Sequence, residues 1–128
     1  MAAGDITYSN PGAGKDYASG IALADADKAL NIEVGFVPTK ITIHYKDTAA
    51  TTVDSVFEWF KGMTAGYYWS TLQSSGAITE ATSGGPIVYG DTQDDVYGSS
   101  ESGSFQGFTI PAGLQDADSD IMYWEAWR

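Results

Sequence analysis

No stretch of this chain repeats apolar residues every three or four positions for long enough to repay helix nucleation. Its apolar residues come instead in runs of roughly four to eight, cut by Gly, Pro, Asn and Asp. The clearest run, Lys40-Ile-Thr-Ile-His-Tyr-Lys46, alternates strictly. Ile41, Ile43 and Tyr45 therefore share one face of a strand, and Thr42, His44 and Lys46 the other. Residues 53–60 are β-branched and aromatic, with Phe57 and Trp59 on one face and Val56, Glu58 and Phe60 on the other. They read as a hairpin with residues 66–72 across Lys61-Gly62-Met63-Thr64. Further strands are predicted at 5–8, 31–36, 77–82, 87–89, 104–110 and 120–127, with an exposed loop over 91–103.

The segment 21–30, IALADADKAL, has the composition of a helix. It is short, lacks a clear cap and runs straight into a β-like segment, so it reads as a loop or short strand. Residues 4–20 are dense in Gly, Ser, Asn and Pro and contain the turn signal Asn10-Pro11-Gly12. This divides the chain into a flexible N-terminal arm with one short strand, residues 1–20, and a single domain, residues 21–128. About seven to nine short strands with turns every ten or so residues predict an all-β fold, an antiparallel β-sandwich or a barrel. The last strand carries Tyr123 and Trp127 on one face and Met122 and Trp124 on the other. With aromatic residues on both faces it must be central or covered by a neighbouring subunit.

A chain of 128 residues with 43% hydrophobic residues is large enough and apolar enough for one core. It contains no Cys, so stability rests on packing, backbone hydrogen bonds and association, without disulfides or thiolate metal sites. The opening residues show no basic region followed by an apolar run, and no apolar stretch approaches membrane-spanning length, which reads as an unprocessed soluble product. The net charge is −11, divided as −3 over residues 1–61 and −8 over residues 62–128. Such a surface repels phosphate backbones and excludes nucleic acid as a partner; basic partners or cations fit better.

Chemistry-bearing motifs are sparse. With one His, His44, and no Cys, neither a Cys–His pair nor a His-rich metal site is available, and His44 reads as a surface or interface side chain. No Ser sits in G-x-S-x-G, including Ser99, Ser100 and Ser102. Gly12-Ala-Gly14-Lys15-Asp16 lacks the upstream Gly and the hydroxyl residue of a phosphate loop. Glu58, Glu80, Glu101 and Glu125 could pair for glycoside hydrolysis, but spacing along the chain says nothing of their separation. Asp116, Asp118 and Asp120 alternate as calcium ligands can, without the Gly and Glu of a calcium-binding loop, so a solvated acidic turn is the expectation and a calcium site the alternative. No catalytic residue and no cofactor are expected.

Aromatic side chains are the other candidate site. Trp59, Tyr67, Tyr68, Trp69, Tyr123, Trp124 and Trp127, with Tyr89 and Tyr97, are enough to stack on sugar rings if several are exposed in a row. Packing in the core or at a subunit interface is the competing expectation.

Two segments carry a resemblance. Val34-Gly35-Phe36-Val37-Pro38-Thr39-Lys40-Ile41-Thr42-Ile43 resembles a turn-and-strand of small all-β structural proteins of tailed bacteriophages. Gly107-Phe108-Thr109-Ile110, followed by Asp120-Ile121-Met122-Tyr123-Trp124-Glu125-Ala126-Trp127, is similar to their ending. The resemblance covers about a third of the chain and implies a virion component: a capsid decoration or cement protein, a head fibre or a tail module. Such proteins are β-sandwiches or jelly rolls and often trimers. It implies binding to the major capsid protein or other virion proteins on the outer surface of the capsid, after synthesis in the host cytoplasm, as a homo-oligomer and without enzymatic activity. A receptor- or carbohydrate-binding module of a fibre or tail is the alternative. A bacterial sugar-binding domain or an unrecognised hydrolase is a third reading.

Overall fold

In a computed structural model, which describes residues 2–9, 16–47, 55–72, 75–89 and 106–128, Lys40–Lys46 is a strand over the bounds its alternation predicts. In chain order the strands are β1 (Ile6–Tyr8), β2 (Tyr17–Leu23), β3 (Leu30–Glu33), β4 (Lys40–Lys46), β5 (Ser55–Phe60), β6 (Tyr68–Leu72), β7 (Ile78–Ala81), β8 (Ile87–Tyr89), β9 (Gly107–Ile110) and β10 (Ile121–Trp127). A single 3-10 turn at Ala112–Leu114 is the only helical element among the described residues. The expected loop at 91–103 and the turn Asn10-Pro11-Gly12 lie outside the described residues.

The strands form an antiparallel seven-stranded sheet, β1-β2-β10-β4-β5-β6-β7, and an antiparallel three-stranded sheet, β3-β9-β8. The expected all-β sandwich is thus the observed class. β10 lies between β2 and β4, the central position its two apolar faces demand. Between the sheets, Ala18 and Ala22 of β2, Ile41, Ile43 and Tyr45 of β4, Trp59 of β5 and Met122, Trp124 and Ala126 of β10 meet Leu30, Ile32, Val88, Phe108 and Ile110.

The N-terminal division is corrected. The boundary expected at residue 20 falls inside β2, whose residues from Tyr17 on pair with β10 along its whole length. β2 reads Tyr-Ala-Ser-Gly-Ile-Ala-Leu, and its small residues disguise a strand because β propensity rewards bulk. They are small for a tertiary reason. Trp124 lies opposite Gly20, and a Cβ built on Gly20 would fall 1.9 Å from the Thr7 carbonyl oxygen and 2.7 Å from the indole of Trp124. Gly20→Ala is therefore expected to lower stability by about 2 kcal/mol, as overpacking does. Denaturant unfolding would show it, and an unchanged midpoint would mean that β1 swings away without cost.

The link from β3 to β4 crosses between the sheets. Val34 and Gly35 both donate backbone N–H bonds to the Gln106 carbonyl. Gly35 has φ +82°, a conformation Gly adopts without the Cβ penalty. Phe36 and Pro38 are then fully buried. The Gly, Phe and Pro that carry the resemblance thus serve architecture.

Candidate functional site

The aromatic residues divide between the two faces of the large sheet. Trp59 and Trp124 are buried in the core. Trp124 meets Phe108 and Tyr8 edge-on, at centroid distances of 5.8 and 5.5 Å. Tyr68 is half-buried against the core, with its ring 5.7 Å from that of Phe57. Tyr67 lies half-buried in the turn between β5 and β6. Of the seven aromatic residues singled out from the sequence, Trp69, Tyr123 and Trp127 lie on the outer face of the sheet, away from the smaller sheet.

The register of that outer face assembles what the linear sequence conceals. Tyr17, Trp127, Lys40 and Phe60 fall in one row across β2, β10, β4 and β5. The Tyr17 and Trp127 rings are 5.5 Å apart. The Lys40 ammonium lies 4.7 Å from the Trp127 centroid and 5.6 Å from that of Phe60, a cation held between two ring faces. Phe60 in turn meets Trp69, on β6, at 5.3 Å. The result is a continuous ribbon, Tyr17–Trp127–Lys40–Phe60–Trp69.

Beside it runs a polar row, Ser19, Glu125, Thr42, Glu58, Trp69 and Glu80 in register from β2 to β7. The Tyr17 hydroxyl donates to Glu125 Oε2 at 2.6 Å, and the Trp69 indole N–H to Glu80 Oε2 at 3.3 Å. That bond to the Glu125 carboxylate is the main cause raising the Tyr17 pKa above its ordinary value. Tyr17, Lys40 and Phe60 were not among the candidates read from the sequence. Alternation could assign Lys40 and Phe60 to an outer face, but only strand order brings them beside Trp127.

The aspartates separate. Asp118 Oδ1 accepts the Ala26 backbone N–H at 2.9 Å, whereas Asp120, buried, accepts the Tyr45 hydroxyl at 2.6 Å. The Asp116 side chain is exposed, and its backbone N–H donates to the Tyr45 oxygen at 2.7 Å. The three therefore do not converge as calcium ligands, because two of them hold the loop itself in place. Among the described residues no group of three or more metal-ligating side chains comes together. Gln115 completes this latch, accepting from the Asp25 backbone N–H at 2.7 Å and donating to the Lys28 carbonyl at 2.8 Å. His44 is half-buried on the outer face, between Tyr123 and Val56. No helix among the described residues is long and apolar enough to cross a membrane.

A second feature is the mismatch in width of the two sheets. Core residues come from β2, β10, β4 and β5 but from neither β6 nor β7. At this side Leu72 is 45% and Ile78 67% exposed, and among the described residues β7 has a strand neighbour on one side only.

No protein-family model matches this chain, and no curated protein or solved structure does.

Proposed function

We propose that this protein is a non-catalytic structural subunit of a bacteriophage virion, a capsid decoration or cement protein that binds the outside of the capsid and stabilises it. The observation carrying the reading is the β6–β7 side of the large sheet, with its apolar side chains Leu72 and Ile78 exposed and a strand edge that can accept another chain's backbone. The resemblance of residues 34–43, 107–110 and 120–127 to small phage structural proteins supplies the setting. The net charge of −11 favours a neutral or basic docking surface and opposes nucleic acid. The partner is the major capsid protein; trimerisation on the particle follows from the same resemblance.

The test is co-sedimentation of the protein with capsids of the phage that encodes it, stripped of the native subunit. Wild type should pellet with the shells and Ile78→Glu should not. Truncation of a buried apolar anchor, or a charge introduced in its place, costs on the order of 2 kcal/mol or more, roughly thirtyfold in affinity. Failure of the wild type to pellet, or equal pelleting of wild type and variant, would overturn this docking mode.

A further inference from the structure

We propose that the outer face of the seven-stranded sheet is a binding site for an extended, neutral, β-linked polysaccharide, with the ribbon Tyr17–Trp127–Lys40–Phe60–Trp69 as its floor. The site is centred on β2, β10, β4 and β5 and meets the β6–β7 edge only at Trp69 and Glu80, so the two proposals are tested by separate substitutions.

Three observations define the ligand. First, aromatic side chains from four strands reach the same face, with Tyr17 37% and Trp69 40% exposed. From β2 to β6 the ribbon crosses four strand spacings, about 19 Å, the footprint of a short extended chain rather than of one sugar. Exposed rings, here Tyr17 and Trp69 at the two ends of the ribbon, take the C–H surfaces of pyranoses. In β-linked chains of equatorial hexoses those surfaces are broad and the chain is straight.

Second, the polar row lies one register step away. Glu125, Glu58 and Glu80 offer carboxylate acceptors and Lys40 a donor held between Trp127 and Phe60. Sugar hydroxyls at the edge of a stacked pyranose need such partners, and charged groups make the stronger hydrogen bonds.

Third, charge selects among occupants. With −11 per chain, a polyanionic glycan is repelled, and two copies facing each other through this surface would bring two strongly acidic bodies together. A neutral chain meets neither penalty.

Native gels cast with hydroxyethylcellulose, mixed-linkage β-glucan or glucomannan test the site, with alginate as the polyanion. Wild type should be retarded by at least one neutral glycan and not by alginate, and its tryptophan fluorescence should change on titration with that glycan. Trp127→Ala and, separately, Trp69→Ala should each weaken retardation about tenfold or more while keeping the wild-type circular dichroism and a cooperative unfolding transition. Trp69 is the safer substitution because its side chain is exposed. Leu72→Glu, which alters the docking edge on the opposite face of the sheet, should be retarded like wild type. Absence of retardation by every neutral glycan, equal retardation by alginate, or retardation surviving both tryptophan substitutions would overturn the proposal.

Discussion

Trp124→Ala is expected to cost about 4 kcal/mol of folding stability, while Trp127→Ala, three residues along the same strand, should cost no more than about 1 kcal/mol. The two indoles lie on opposite faces of β10. Trp124 is 1% exposed and fills the space between Phe108, Tyr8 and the backbone of Gly20. Removing it leaves a cavity that the surrounding strands, tied to their neighbours by backbone ladders, cannot close. Trp127 is half-buried at the outer surface, flanked by Tyr17 and Lys40, and its loss costs ring contacts that water partly replaces. Trp124→Phe sharpens the comparison. The Trp124 indole N–H is buried with no hydrogen-bond partner among the described residues, so Phe removes an unsatisfied donor while retaining most of the ring. It should recover well over half of the Ala penalty. Urea unfolding of the three variants, with m-values checked for constancy, decides the matter. Equal midpoints for Trp124→Ala and Trp127→Ala would mean that the division of faces is wrong.

Tyr45→Phe should cost on the order of 3 kcal/mol, although it removes one oxygen atom. That hydroxyl donates to the buried Asp120 carboxylate at 2.6 Å and accepts backbone N–H bonds from Asp116 at 2.7 Å and Ala117 at 3.3 Å. Phe leaves these groups short of a partner where water does not easily enter, and it loosens the loop that leads into β10. The same hydroxyl gives stability a pH dependence of definite sign. Burial, followed by the bond to Asp120, raises the Tyr45 pKa well above its ordinary value of 10.0. The folded protein thus keeps its proton at a pH where the unfolded chain has lost it. The stabilisation is fully present below about pH 10 and is lost progressively as pH rises beyond it. Tyr8, raised chiefly by burial, and Tyr17, raised chiefly by its bond to Glu125, act in the same direction. Urea midpoints measured from pH 8 to pH 11 should fall steeply in the wild type and less steeply in Tyr45→Phe. Parallel slopes would show that Tyr45 does not contribute to the alkaline loss.

Much of the architecture is legible in the amino-acid sequence. Lys40–Lys46 is a strand with the faces its alternation assigns, and the opposition of Phe57 and Trp59 to Val56, Glu58 and Phe60 holds in β5. β10 occupies the interior position that aromatic residues on both faces require. These properties are local: side-chain direction in a strand has period two, and a run of apolar residues must be buried whatever surrounds it. β2 escaped notice because Ala18, Gly20 and Ala22 carry little β signal, and the reason for the Gly at its centre is Trp124, more than a hundred residues away in the chain.

The candidate site belongs to the tertiary structure for the same reason. Alternation placed Trp127 and Phe60 each on one side of its own strand, but it could not say that Lys40 would come between them. Nor could it say that Tyr17 would reach Glu125, 108 positions along the chain, or that Trp59 and Trp124 would be enclosed while Trp69 and Trp127 were not. Those outcomes depend on strand order, register and the choice of which face the three-stranded sheet covers. All three are settled by long-range pairing, in which each residue's neighbour across the sheet is chosen by the packing of the whole core and leaves no mark in the residues beside it in sequence.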